Sequence, residues 1–280
     1  MHNPFKEIFM TELVEIQPVI DAISLTLQTT FESDEKNGSS LLLIAKPETA
    51  KTSSIFKFNN LDFVSYYDEI TAKKLLEEFL PLCKEHRRTL LVPDLINCVE
   101  KQKATREQFL AIIKSGIDDT GVMRISTQYK QLQMMKLAEG LKFNMITAVT
   151  VENFKMVKKY LEQTGLLSRF IPFSYDYTLD TLRKILDVIE KGVSTKSVTI
   201  PKLIKKDFEI ENSPDLFKQF EILATNIGRF YSGYGIRALV NLQRLAKANA
   251  ILNKRKEIIK EDIDKIFALS KHINFDFNAI

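Results

Sequence analysis

Leu41-Leu42-Leu43-Ile44-Ala45-Lys46-Pro47-Glu48-Thr49-Ala50-Lys51-Thr52 is the stretch on which the fold turns. Its first four residues are an unbroken apolar run, the pattern of a strand buried on both faces within a parallel sheet. The polar segment after them is a turn, continued by Ser53 and Ser54. Upstream, Leu13, Ile16, Ile20, Ile23 and Leu27 recur at helical spacing and predict an amphipathic helix over Met10 to Phe31. A polar turn, Glu32 to Ser40, separates that helix from the strand. Downstream, strands are expected at Asp62 to Tyr67, Thr89 to Asp94, Phe143 to Thr150 and Ile171 to Tyr175. Helices are expected from Thr71, over Thr105 to Ser115, and over Val151 to Thr164, the last closed by Gly165. Gly121 to Thr127 alternates like an exposed edge strand or a hairpin arm, with Arg124 at its centre. Strands alternating with helices predict an open parallel α/β sheet.

From Leu179 onward only helical patterns recur: Leu179 to Glu190, Pro214 to Tyr231, Gly235 to Leu252 and Lys260 to Ser270. Thr195 to Ile204, around Pro201, reads as extended or looped. The expected division is an α/β core over 1–175 and a smaller all-helical domain over 176–280.

The turn after the first strand carries the chemistry. A loop that holds phosphates needs backbone N–H groups converging at a helix start, a Lys for the outer phosphates and a hydroxyl for Mg²⁺. Lys51 and Thr52 stand at that spacing after the strand. The usual G-x-x-x-x-G-K-[ST] pattern has lost both glycines, to Ala45 and Ala50. Glycine suits those places because positive φ and close backbone approach are cheap only without a Cβ. An ordinary strand–turn–helix satisfies the same letters. Asp94, closing Leu90-Leu91-Val92-Pro93-Asp94, fits the acid that a neighbouring strand delivers to a metal shell. Leu95 follows it, where many ATPases carry a water-activating Glu. Glu100 and the pair Asp68-Glu69 are the alternatives for that base, and all three read more simply as surface acids.

In their order along the chain, four segments resemble an AAA+ ATPase, most closely the MCM helicase and MoxR-like branch. They are AKPETAKT, LLVPD, TAVTVENF…GLLSRF and GIRALVNLQRLAKANAILNKRKEIIKEDIDKIFAL, and they span about residues 10 to 272. The resemblance implies a three-layer P-loop NTPase core followed by a helical lid, with degenerate Walker A and Walker B motifs. It implies that Ala45, Lys46, Pro47, Glu48, Thr49, Ala50, Lys51, Thr52 and Ser53 surround ATP, and that Thr52 and Asp94 hold Mg²⁺. It makes Thr150, or less well Thr147, a polar sensor at a strand end. It makes Arg169 an arginine that reaches the neighbouring subunit's nucleotide, and Arg237 a lid arginine on the γ-phosphate within the subunit. Taken without the resemblance, Arg169 could cap a turn and Arg237 could be a surface residue. The implied function is an oligomeric, ring-forming, helicase-like ATPase acting in DNA replication or processing. A protein-remodelling chaperone and a nucleotide-binding scaffold with little hydrolysis are the alternatives.

Composition narrows the field. The 280 residues are 45% hydrophobic and 27% charged, with few Gly and Pro, which excludes disordered, collagen-like and disulfide-scaffold chains. Cys83 and Cys98 lie in apolar periodic surroundings and are expected to be buried free thiols. No run approaches the ~18 apolar residues of a membrane span, and MHNPFKEIF lacks the pattern of a secretory leader, so a cytoplasmic protein is expected. The net charge of +4 comes from residues 176–280, a basic excess that suits a polyanion and also an ordinary solvated face. The turn Lys254-Arg255-Lys256 reads better as solvated than as a DNA site. His2, His86 and His272 are scattered and pair with no nucleophile.

Overall fold

Leu41, Leu42, Leu43 and Ile44 are each at most 1% exposed in the computed structural model, and burying each contributes roughly 2 kcal/mol. The structure describes residues 14–32, 38–85, 88–117, 143–191, 198–206, 208–211, 213–230 and 233–273. The apolar run forms β1 (Ser40–Ala45), with every residue buried. Successive side chains of a strand point to opposite faces, so a strand buried at every position is covered on both. β2 (Val64–Tyr66), β3 (Arg88–Val92), β4 (Phe143–Thr150) and β5 (Phe170–Tyr175) complete a five-stranded sheet in the order β2-β3-β4-β1-β5. Every pairing is parallel. The expected α/β class is therefore found. The Gly121 to Thr127 segment lies outside the described residues.

The helices follow the expected periodicity, with local changes. α1 (Gln17–Gln28) begins at Pro18's first turn, and one 3-10 turn, Thr29–Phe31, extends it. Met10 to Leu13 lie outside the described residues. α2 (Lys51–Phe56) follows the β1 loop. The helix predicted from Thr71 is composite: Ala72–Lys74, a π-helical turn Leu75–Phe79, then Leu80–Glu85, together α3. Pro81 sits just after the π turn, and a proline's missing N–H is an ordinary cause of such a break. A short helix absent from the sequence reading, α4 (Ile96–Val99), follows Asp94. α5 (Lys103–Gly116) and α6 (Val151–Gln163) flank β4 in the chain.

After β5 come α7 (Leu179–Lys191), α8 (Pro214–Phe217), α9 (Glu221–Phe230), α10 (Ile236–Leu252) and α11 (Lys260–Ser270). The single helix expected over Pro214 to Tyr231 is broken by a 3-10 turn at Lys218–Phe220. This C-terminal region shares one hydrophobic cluster with the sheet. α10 packs on α1, and its Ala246, Ala248 and Ala250 are fully buried, small enough to let two helices approach closely. Ser174 N donates to His272 O at 2.5 Å, tying the end of α11 to β5. Lys247 Nζ meets Glu32 Oε1 at 2.5 Å, with both side chains almost wholly buried. Asn144 Oδ1 accepts from Thr30 and Thr89, and Asn144 Nδ2 donates to Thr26 O. That polar cluster pins the end of α1 to the amino edge of the sheet. Cys83 and Cys98 are buried and free, and burial pushes their thiols up to about 12 and about 11.

Candidate nucleotide site

β1 lies between β4 and β5, so the chain crosses from one side of it to the other between β4 and β5. Ligands of open α/β sheets sit at the carboxyl ends of the strands, where the strand order reverses. At that edge Ala45 is in register with Thr150 on β4 and with Tyr175 on β5. The loop 45–51 leaves from this point.

Two of its residues have left-handed backbone. Glu48 has φ 60 and Ala50 has φ 59, ψ 24. Ala50 therefore adopts the conformation that glycine would take cheaply, and a Cβ there costs roughly 1–2 kcal/mol. The loop is held from several sides. Thr49 Oγ1 donates to Lys46 O at 2.7 Å, Tyr175 Oη donates to Thr49 O at 2.9 Å, and Lys46 Nζ meets Asp176 Oδ2 at 2.5 Å. Tyr175 and Asp176 escaped the sequence reading. Their one signal is position, since they end the strand that lies in register with Ala45.

Lys51 turns into the loop and donates to Ala45 O at 3.0 Å and Lys46 O at 2.5 Å. Burial pulls its pKa down to about 8, while the Asp94 carboxylate nearby acts in the opposite direction. Thr52, next in the chain, is exposed. Asp94 Oδ1 accepts from Ile96 N at 3.0 Å, which orients the carboxylate at the start of α4. Leu95 is 1% exposed and its N–H donates to Ala148 O at 2.8 Å, so it belongs to the core. Asp68, Glu69 and Glu100 are exposed; Asp68 accepts from Tyr66 Oη, and Glu69 pairs with Lys101.

Thr150 ends β4 opposite Ala45, and its Oγ1 accepts from Asn153 N at 3.3 Å, capping α6. Thr147 is fully buried in mid-strand, level with Leu42 and Val92. Of these two threonines, Thr150 is the one at the loop.

The two arginines lie elsewhere. Ser40 is in register with Phe170, so Arg169 sits at the amino edge of the sheet. That is five strand residues from the loop, about 17 Å at the usual rise. Arg169 Nη1 donates to Gly165 O. Arg237, in the first turn of α10, donates to Ser168 Oγ at 3.1 Å. Gly38, Ile117, Arg169, Arg237, Asn241 and Arg244 line one pocket at this amino edge. The resemblance implies a role for Arg237 inside its own subunit, whereas the structure groups it with Arg169, across the sheet from Lys51. The sequence reading missed Asn241 and Arg244, both buried on the inner face of α10. In the basic turn, Arg255 is engaged in two bonds to Asp262, at 2.6 and 2.7 Å.

Thr52 and Asp94 offer hard oxygen donors, the chemistry that suits Mg²⁺. Among the described residues no group of three or more His, Cys, Asp or Glu is placed to hold a metal ion. A divalent ion here would complete its shell with phosphate oxygens and water. No helix among the described residues is long and apolar enough to cross a membrane. No family model matches the chain, and no curated protein matches it.

Proposed function

We propose that this protein is an AAA+-type P-loop ATPase, which binds Mg·ATP at the loop after β1 and works as an oligomer on DNA. The observation that carries the proposal is Lys51 folded into the loop at the carboxyl edge of the sheet, where it donates to Ala45 O at 3.0 Å and Lys46 O at 2.5 Å. A lysine that donates to its own loop carbonyls occupies the place where outer phosphates would sit. Binding exchanges those carbonyls for phosphate oxygens. Thr52 and Asp94 would hold the Mg²⁺, which neutralises charge on the phosphate oxygens when bound. Thr150 is at hand to orient water, and residues 176–280 act as the lid.

Leu95 is core, so no acid follows Asp94 to activate that water. Slow turnover by the isolated chain is the consequence. Arg169 and Arg237 share the opposite edge and serve a nucleotide held by a neighbouring copy, where guanidinium groups stabilise charge developing on the γ-phosphoryl oxygens. The basic excess of residues 176–280 supports a polyanionic client.

The test measures ATP binding and hydrolysis on the same samples of wild type and Lys51→Ala, over a range of protein concentration, with and without DNA. Wild type is expected to bind, with turnover per chain rising with concentration. Lys51→Ala is expected to lose roughly 10- to 100-fold in affinity, the worth of charge-assisted hydrogen bonds. Wild type that fails to bind millimolar ATP ends the proposal.

A further inference from the structure

Tyr234 is 92% exposed, more than any other large apolar side chain among the described residues. Two glycines hold its backbone. A Cβ on Gly228 would stand 2.3 Å from Gly235 N, and a Cβ on Gly235 would stand 2.2 Å from Ala224 O. The segment before α10 therefore lies directly on the backbone of α9, and Gly235 adopts φ 82 there. On the other side of Tyr234, Gly233 N donates to Gly228 O at 2.9 Å. The chain is thus tied down on both flanks of a tyrosine whose ring faces solvent. Ile222 of α9 and Ile236 are exposed as well, and exposed apolar groups that cluster mark a contact surface.

The chain around it is basic. Residues 222–256 hold seven Lys and Arg and no Asp or Glu. Three of the seven are engaged inside the molecule: Lys247 pairs with Glu32, Arg255 pairs with Asp262, and Arg244 is buried. Lys254 and Lys256 lie past the far end of α10. Arg229 and Arg237 remain, both exposed and on either side of Tyr234 in the chain. Among the described residues no carboxylate pairs with Arg229, and Arg237 bonds the neutral hydroxyl of Ser168. The acid nearest to Arg229 in sequence is Glu221, about 12 Å away along α9 at the helical rise. Positive charge without a local partner therefore accompanies the exposed ring.

A strand of alternating phosphates and bases matches both features. In a duplex each base is stacked between its neighbours and shows only an edge, whereas a single strand can lay a base on an aromatic ring. We infer that Tyr234 is a stacking platform for single-stranded DNA, with Arg229 on the adjoining phosphate. Ile222 and Ile236 add apolar contact with sugars and base faces, and the charge of Arg237 adds to the field that draws the strand in. The inference rests on the proposed function in taking DNA as the client, and it names the surface that meets it. The β1 loop takes no part.

The test uses the full chain without nucleotide and reads the fluorescence anisotropy of labelled oligo(dT), and of the same strand paired with oligo(dA), over a range of salt. Wild type is expected to bind the single strand more tightly than the duplex, with affinity falling as salt rises. Tyr234→Ala is expected to lose roughly 5- to 150-fold, the worth of one base stacked on an aromatic ring. Tyr234→Trp, which keeps a ring, should bind like wild type. Arg229→Ala should weaken binding and lower the slope of log affinity against log salt by about 0.7, the loss of one phosphate contact on a single strand. Both side chains are exposed, and circular dichroism checks the fold of each variant. Equal affinity for the duplex, or Tyr234→Ala that binds like wild type, overturns the inference. Wild type that ignores oligo(dT) also overturns it and leaves the patch to a protein partner. The readout is independent of the β1 loop. A wild type that holds oligo(dT) through Tyr234 yet binds no ATP would sink the proposed ATPase and leave the platform standing; one that binds ATP and no oligo(dT) would do the reverse.

Discussion

Arg237 donates from Nη1 to Ser168 Oγ at 3.1 Å, fastening the first turn of α10 to the 3-10 turn that ends at Arg169. Two arginines distant in sequence are thereby held together at the edge of the sheet opposite Lys51. If both act on a neighbour's nucleotide, Arg169→Ala and Arg237→Ala leave the ATP affinity of a single chain unchanged. Turnover in the assembled protein falls by about 10³-fold, the usual worth of an arginine supplied in trans. Mixing Lys51→Ala with Arg169→Ala restores part of the activity, because some contacts pair an intact loop with an intact arginine. No recovery on mixing would assign the arginines to their own chain.

Lys51 supplies a pH dependence. Its pKa is lowered by burial to about 8, and the protonated form is the one that attracts phosphate. ATP affinity is therefore level below about pH 7 and falls as pH rises through 8, by up to about tenfold per pH unit. The stability linkage has the opposite sense. At Lys51 the unfolded chain binds more protons than the folded one between pH 8 and 10, so this residue's contribution to stability rises with pH over that window, while the buried thiols Cys83 and Cys98, held at about 12 and about 11, contribute in the opposite sense as pH passes 9. Isothermal titration calorimetry and urea unfolding from pH 7 to 10 measure both. In Lys51→Met the fall in ATP affinity should vanish, and the stability of wild type relative to the variant should grow with pH over the window.

Ala50 gives a substitution that improves the protein. At φ 59 its Cβ is strained, and glycine at a left-handed position removes roughly 1 kcal/mol of that strain. Ala50→Gly is expected to raise the urea midpoint and keep or strengthen ATP binding. A lower midpoint would mean that the methyl's packing outweighs the backbone strain.

Tyr175 tests the support of the loop. Its buried hydroxyl donates to Thr49 O at 2.9 Å, and losing that bond costs about 1 kcal/mol. Tyr175→Phe should weaken ATP binding several-fold with little change in secondary structure. Affinity equal to wild type would show that Thr49 and Lys46 hold the loop unaided.

Asp262 is fully buried and accepts from Arg255, Asn249 and the N–H of Ile259. Removing one partner of such a pair leaves a charge without compensation. Arg255→Ala should cost about 3 kcal/mol in chemical unfolding, while Lys254→Ala and Lys256→Ala on either side cost almost nothing. DNA affinity that falls for Lys254→Ala and Lys256→Ala would reassign the turn to binding.

The sequence by itself determined the sheet and most of the helices. Leu41 to Ile44 leaves no polar face, so it reads as a strand inside a parallel sheet, and the 3.6-residue periodicity of 179–270 survives whatever packs on it. The placement of Lys51, Thr52 and Asp94 just after two strand ends was legible, because each follows an apolar run. Local letters did not reveal where the chain bends under tertiary demand, such as the π turn at Leu75–Phe79 or the break at Lys218–Phe220. The left-handed backbone at Ala50 was signalled by the glycine that usually stands there, but what holds an alanine in it, packing and hydrogen bonds rather than its own preference, was not. Only the tertiary structure set Tyr175 over the loop, drew Asn241 and Arg244 into one pocket with Arg169, and turned Arg237 away from Lys51. Those relations depend on strand register and on which face of α10 meets α1, and both are fixed by burial shared between segments some two hundred residues apart, roughly the separation of Ser39 from Asn241.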